Sequence, residues 1–477
     1  MDPKTHRLKL REKIGYGVGD AACSMYWKIF TMYLVYFYTD IFGITAAAAG
    51  TLLLVTRIWD TANDPLMGVI ADRTSTKYGK FRPYLLWFAI PFAIIGVLTF
   101  TTPDFGYTGK LVYAYITYLM MMMAYTVVNV PYGALLGVMS PNPKERTKLG
   151  SYRFIFAFAG SLVIVAIVEP LAIYFAALES GPGTEAFGWQ MAMTVVGVMF
   201  VLMVFFTFFN TKERVLPLKT QKTSLKDDLK DLVANRQWWL LVGAGIFTLI
   251  FNAVRDGTII YYFRYYVETE GVIQLAFIDM AYPFSSFFMV IGQASNLFGV
   301  LFAAIFASWI GKRFAYITSM MIATIASIFF FFLGAEQIWL MFTFQVVISF
   351  NAGLILPLLI SMYADAADYN EWKQGRRATG LIFSSYTTSQ KFGWTLGSAL
   401  VGYMLAVFGY QAGVAQTDVA LTGIRTLMSF IPAAGAFISG AFIYFYKLDE
   451  NTMLKITTEL EERREEEGMK GDDENRL

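Results

Sequence analysis

Twelve apolar stretches, each about as long as a bilayer is thick, leave this chain few ways to fold. About 20 predominantly apolar residues cross the hydrocarbon core as a helix. Such runs fall at 14–38, 46–71, 84–102, 109–139, 149–177, 188–210, 238–263, 282–308, 315–333, 336–364, 378–409 and 421–446. Where no water reaches, backbone polar groups must bond within their own segment, so the spans are helices. A 56% hydrophobic composition and a mean hydropathy of +0.50 agree with a chain dissolved in lipid. The expected fold class is an all-α membrane protein with twelve transmembrane helices.

The basic residues orient it. Six segments (the first 13 residues, 72–83, 140–148, 211–236, 309–314 and 365–377) carry 24 Lys and Arg, and the loops on the other side offer little beyond Lys110 and Arg264. Lys and Arg accumulate on the cytoplasmic side, so both termini are expected there. The net charge of +2 is topological and implies no nucleic-acid partner. A single Cys23 excludes an intrachain disulfide or a cysteine metal cluster, and a single His6 in the polar tail argues against His-based metal or catalytic chemistry. The expectation is a non-enzyme without cofactor, in an inner membrane, acting as a monomer.

The segment from Arg57 to Pro83 breaks the apolar pattern. Arg57, Asp60, Asn63 and Asp64 lie inside the second run, and Asp72, Arg73, Lys80 and Arg82 follow at its end and in the next loop. An ionisable group at membrane depth costs roughly 3 kcal/mol and is retained where it faces a bundle interior or wet cavity. Asp60 and Asp64 are i, i+4 and Arg57 precedes Asp60 by three, so one helix face carries all three, with Asn63 at its border. Two carboxylates, an amide oxygen and a guanidinium suit a small hard cation or a proton. The competing reading, an Arg57–Asp60 pair that merely pins helices, leaves the second carboxylate unexplained.

Other charges interrupt the runs. Asp20 and Lys28 lie eight residues apart on the first helix, about two turns and one face. Asp20 reads equally as a gate or helix-end charge and as a ligand contact. Thr126 and Asn129 are one turn apart on the fourth helix, beside Pro131, either completing a site with the second helix or serving as interhelical glue. Arg153 begins the fifth helix and either binds a ligand or neutralises an acid of the first two. Glu169 is expected to reach the membrane interface. Arg255 and Asp256 lie deep in the seventh run and point apart. The tenth run ends in Asp365 and Asp368 and the eleventh is preceded by Arg376 and Arg377, which suits gate salt bridges that form and break. Lys391 lies mid-helix, with the second-helix carboxylates as its expected partners.

Gly68, Asp72-Arg73, and Gly79 followed by Lys80 and Arg82 resemble the loop signature of the major facilitator superfamily, echoed by Gly311-Lys312-Arg313. Two six-helix halves follow, with bundles at 1–210 and 237–446, a connecting loop at 211–236 and an acidic tail at 447–477. GYGVGD, YTDIFG, RIWDTANDP, YGKFRPY, NVPYG and ADAADYNEWKQGRRATGLIFS, in this order, resemble the glycoside-pentoside-hexuronide:cation symporter family, relatives of the melibiose permeases, over residues 10 to 450. That resemblance implies sugar uptake coupled to Na⁺ or H⁺ by alternating access. It implies a cation site at Asp60, Asn63, Asp64 and Thr126, and sugar contacts at Arg153, Asn129 and Lys391, with Asp20 in the GYGxGD pattern. Tyr26 or Trp27 is then placed to stack on a sugar ring, and Asp72, Arg73, Lys80, Arg82, Asp365, Asp368, Arg376 and Arg377 to gate. Asn129, Gly133 and Ser24 stand where melibiose permeases carry two aspartates and a tryptophan, so a galactoside is not implied. Arg153 with Lys28 suits an anionic uronide. Distant relatives moving lysolipids supply the alternative substrate.

Overall fold

The computed structural model describes residues 7–140, 142–214, 233–267, 272–274, 281–374, 379–449, 452–460 and 462. The long helices are α1 (Leu10–Met32), α2 (Ala46–Arg73), α3 (Arg82–Thr99), α4 (Tyr107–Met139), α5 (Pro143–Leu178), α6 (Thr184–Asn210), α7 (Arg236–Tyr261), α8 (Phe284–Ile310), α9 (Lys312–Phe330), α10 (Ile338–Gln374), α11 (Thr379–Val407) and α12, in two pieces Asp418–Met428 and Phe430–Tyr444. Among the described residues nine spans are long and apolar enough to cross a membrane by composition. The exceptions, α1, α2 and α11, are 23, 28 and 29 residues long. They are also the helices bearing Asp20 and Lys28, Arg57, Asp60 and Asp64, and Lys391. Their polarity is the site's.

Helix ends overrun the apolar runs because polar ends project beyond the lipid. The segment 365–374, read above as loop, continues α10, and α5 starts at Pro143, before its apolar run. Side-chain caps begin several helices: Thr45 Oγ1 accepts from Ala48 N–H at 3.3 Å and Asn235 Oδ1 from Gln237 N–H at 3.0 Å. The chain continues from α1 into a π-type turn, Phe37–Ile41, and from α7 into another, Tyr262–Val267. Such wide turns recur at functional positions. A short hairpin, β1 (Val272–Gln274) with β2 (Ala281–Pro283), lies between α7 and α8.

Within the first half α1 packs on α5 and α6, α3 on α4 and α6, and α2 on α4; within the second, α7 packs on α11 and α12, and α10 on α8 and α9. The halves meet along α2 and α11, α5 and α8, and α1 and α7. Glycine permits the closest approaches: a Cβ on Gly402 would lie 2.5 Å from Ala46 O, and one on Gly50 2.9 Å from Ala399 O. Large apolar side chains such as Leu202, Phe329 and Trp339 are exposed on the outside, where lipid replaces water as solvent.

The 446–449 segment, the 74–81 and 211–214 loops and residues 140, 142 and 311 share one face with the first and last described residues, the terminal face. The tail is not detached from it: 452–460 is helical, Met453, Ile456 and Leu460 are buried, and the Trp372 indole donates to Glu459 Oε2 at 2.6 Å. Within the connecting loop, Lys226 and Lys230 at helical spacing predict a surface helix from Ser224 onward, in a stretch of which 215–232 lies outside the described residues.

At this face Glu145 accepts from Leu8 N–H at 3.2 Å and pairs with Lys13 at 2.8 Å and Lys148 at 3.0 Å. The Lys13 hydrogen bond is the chief reason its carboxyl is pulled from 4.5 down to about 2. A depressed carboxylate stabilises the fold above its ordinary value and loses that contribution as pH falls through the folded one. Glu145→Gln should lower the melting temperature of the detergent-solubilised protein by a few degrees at neutral pH. The gap should hold down to about pH 5 and narrow below it; a gap constant through the acid range would mean these ion pairs contribute nothing.

Candidate functional site

The face of α2 predicted from spacing turns inward and meets α4 and α11. Thr126 Oγ1 of α4 lies 3.0 Å from Asp60 Oδ1 and 3.1 Å from Asp64 Oδ1, sharing one proton between them. Lys391 Nζ of α11 donates to Asp60 Oδ2 at 3.2 Å and also to Asp64 Oδ2. Arg57 Nη1 lies 3.9 Å from Asp60 Oδ2, and its guanidinium carbon sits 4.3 Å above the Trp27 ring. Two acids thus face two bases and the cluster is neutral. Asp60 is buried, whereas the Asp64 side chain is 30% exposed and is the one a solute reaches first. Asn63, half-buried, makes no hydrogen bond to another described residue. The oxygens of Asp60, Asp64 and Thr126 form a hard donor set that suits an alkali cation or a proton, and the Lys391 ammonium stands beside them as a rival positive charge.

Two further ion pairs flank this cluster. Arg153 Nε of α5 donates to Asp20 Oδ1 at 3.0 Å, while its guanidinium carbon lies 5.6 Å from the Tyr132 ring, itself stacked on Tyr16 at 4.8 Å. Lys28 Nζ donates to Asp256 Oδ2 of α7 at 2.8 Å, joining the halves at mid-depth. Asp256 and Arg255 do point apart: Arg255 turns to Met428 O at 3.1 Å, the carbonyl beside the break in α12, and to Gln345 Oε1 at 2.5 Å. Asn129 is half-buried on α4, and a Cβ on Gly133 would meet nothing within 4 Å, so the α4 wall has open space.

Tyr26 is a correction. It is fully buried inside the first half, edge-on to Phe92 at 4.7 Å and Phe200 at 5.2 Å, and cannot touch a ligand in the central cavity. One residue turns a helix by about 100°, and it is Trp27 that faces the middle, against Tyr125, Arg57 and Trp394.

The gating candidates divide. Lys80 and Arg82 are anchored to the first half through their backbones. Their backbone N–H groups, with that of Phe81, donate to the Glu213 carboxylate at 2.8 to 2.9 Å, and Arg82 Nη2 reaches Phe208 O at 2.7 Å, tying α3 to α6. Glu213 was missed because nothing local marks a carboxylate that caps a helix 130 residues earlier. Gly79, at φ +111°, leaves room for it. Asp365 pairs with Lys312 at 2.8 Å, inside the second half. Asp368 is half-buried and Arg73 exposed. The Asp72 side chain, Arg376 and Arg377 lie outside the described residues.

On the face opposite the terminal face the halves are bound through Thr39 and Asp40 of the YTDIFG motif, whose partners no local spacing reveals. The Asp40 carboxylate accepts from Tyr410 Oη at 2.7 Å and from Tyr265 Oη, and Thr39 Oγ1 lies 2.7 Å from Tyr261 Oη. Glu169, half-buried, accepts from Ser285 at 2.7 Å and Ser286 at 2.5 Å at the start of α8. This face is closed by pairing across the halves.

The profile of the family described as MFS/sugar transport protein matches residues 15–450. The inner membrane symporter YicJ of Escherichia coli (strain K12) is 35% identical over 459 residues, covering 96% of each chain. The isoprimeverose transporter of Lactiplantibacillus pentosus is 33% identical over 466 residues, 97% of this chain and 93% of that one. Among solved structures, a bacterial homolog of the human lysosomal transporter Spinster superposes with a TM-score of 0.68 at 13% identity, over 94% of this chain and 97% of that one. At that identity the likeness is one of fold.

The Tyr26 hydroxyl is buried without a hydrogen-bond partner among the described residues, so Tyr26→Phe should leave transport intact and hold or raise stability by about 1 kcal/mol. Trp27→Ala, which uncovers Arg57, should impair transport. Thermal melts and uptake assays of the two variants check this, and a transport defect in Tyr26→Phe would restore Tyr26 to the site.

Proposed function

The chain belongs to the MFS/sugar transport family and is a multi-pass membrane transporter of the sugar symporter class rather than an enzyme; from that premise we propose that it imports a glycoside, pentoside or hexuronide coupled to Na⁺ or H⁺ by alternating access. The observation that carries this reading is the neutral cluster of Arg57, Asp60, Asp64 and Thr126 held by Lys391 from the other half.

A cation arriving at Asp64 and Asp60 competes with the Lys391 ammonium. With the carboxylates neutralised by the ion, Lys391 is freed from α2, and a tie between the halves becomes a ligand-binding group on α11. Asp20, Lys28, Asn129, Arg153 and Lys391 contact the sugar in this reading, their ion pairs exchanged for hydroxyl or carboxylate contacts. Cation and sugar each raise the other's affinity, because linkage is reciprocal. The terminal face is cytoplasmic, the bundles are 1–210 and 237–446, and the Asp40 and Glu169 contacts form the outer closure. Asp72, Arg73, Asp368, Arg376 and Arg377 act at the inner one.

The test is uptake into proteoliposomes of radiolabelled glycosides, pentosides and uronides, with an imposed Na⁺ or pH gradient. One sugar driven by one gradient identifies substrate and ion together. Asp60→Cys and Asp64→Cys should each abolish uphill accumulation, a loss of about 5- to 150-fold if the coupling is worth a typical 1–3 kcal/mol, while sparing some exchange. Undiminished accumulation in both would remove the cation site from α2. Sugars that move under neither gradient would direct the assay to lysolipids.

A further inference from the structure

We propose that the groove between α3 and α6, on the lipid-facing side of the first half, binds one acyl chain of a diacyl phospholipid from the leaflet opposite the terminal face. The site does not depend on what is transported. Its volume is about 460 Å³, within the roughly 300–1,000 Å³ of sites that enclose a ligand.

Two helical stripes form its walls. Ile90, Ile94, Leu98 and Thr101 come from α3 and the residues just past its end, and Gln190, Thr194, Val198 and Leu202 from α6. Steps of three or four residues keep each stripe on one helix face. The helices run in opposite directions, so Thr101, Gln190 and Thr194 gather at the end away from the terminal face, and Ile90 and Leu202 at the other. Each stripe covers 11 or 12 residues, roughly 17 Å of helix, against about 15 Å for half of the hydrocarbon core. The groove thus starts near the membrane surface and ends near the bilayer middle. It is polar at its mouth and apolar along its length, as an esterified acyl chain is.

Small residues keep it open. Ala93 and Gly197 meet at its waist, where a Cβ on Gly197 would lie 3.3 Å from Ala93 Cβ and 3.6 Å from Tyr26 Oη. Tyr26, edge-on to Phe92 of α3 and Phe200 of α6, therefore closes the floor. Ile90, Ile94, Val198 and Leu202 are exposed, so the groove opens sideways to lipid.

The mouth selects the chemistry. Gln190 Nε2 donates to Thr101 Oγ1 at 3.1 Å, and Thr101 in turn donates to the Val97 carbonyl at 2.8 Å. The Gln190 amide has a second N–H, which meets no other described residue. An ester carbonyl, uncharged and accepting only, suits it. Among the described residues no charged side chain lines the groove, so the carboxylate of a free fatty acid finds no counter-ion there.

The test counts lipid bound to the full chain in neutral detergent by native mass spectrometry. The probes are dioleoyl phosphatidylcholine, its diether analogue with the same chains and head group, and oleate. One diester lipid per chain should bind about fivefold more tightly than the diether, the worth of one hydrogen bond, and oleate about tenfold more weakly than the diester. Gln190→Leu should bring the diester down to the affinity of the diether and leave the diether unchanged. Val198→Trp, which puts a ring into the groove from an exposed position, should weaken both by about tenfold or more. Ile325→Trp, an exposed position on α9, should weaken neither. The diester and diether comparison needs no variant, so it decides even where a substitution fails to fold. Equal binding of diester and diether, oleate bound as tightly as the diester, or full binding by Val198→Trp would each overturn the site and leave unselective surface lipid only.

Discussion

A charge held away from water must find its opposite, and in this chain the opposite lies on another helix. Asp20 of α1 takes Arg153 of α5, Lys28 takes Asp256 of α7, and the α2 carboxylates take Lys391 of α11. Apolar packing alone leaves a helix in lipid free to rotate among similar faces, since lipid tails are as apolar as its neighbours. Each pair removes that freedom by making wrong rotations cost a buried, uncompensated ion. The charges that lower the hydropathy of α1, α2 and α11 therefore also fix their rotation about their own axes. Arg255 follows the same rule without a carboxylate: it meets the carbonyl end of the first piece of α12, where the helix dipole is negative.

The pairs also explain why the molecule can change shape. Those that stay within one half, such as Arg153 with Asp20 or Lys312 with Asp365, make each bundle rigid. Those that cross, among them the contacts of Lys391, Lys28, Asp40, Glu169 and Arg264, are hydrogen-bonded through exchangeable groups. A small solute offering equivalent oxygens or charge can replace them, which apolar interlocking would not permit.

Much of this was legible in the sequence. The helices fall within a few residues of the apolar runs because the cost of water-free backbone dominates everything local. Asp60, Asp64, Thr126 and Lys391 could be named and matched because ionisable residues in such runs are rare enough to seek each other. What escaped depended on rotation or distance. Tyr26 and Trp27 differ by a third of a turn, and composition around them does not say which faces the middle. Glu213, Glu169 and Asp40 find their partners between about 116 and 370 residues away, and no periodicity reports a contact at that range. The helical end of α10 was read as loop because charge marks emergence from lipid, not the end of a helix.

The glycine contact between α2 and α11 has a mechanical meaning. Gly50 and Gly402 bring two backbones together near the closed face, without side chains that would have to repack if the helices turned. Gly50 lies 23 residues before Arg73 at the end of α2, a lever arm of about 35 Å. A rocking of about 10° around that fulcrum moves the far tip of α2 by roughly 6 Å while the pivot itself hardly shifts. Bulk introduced at the fulcrum would therefore change how far the opposite mouth opens, even though it lies nowhere near the ions or the solute.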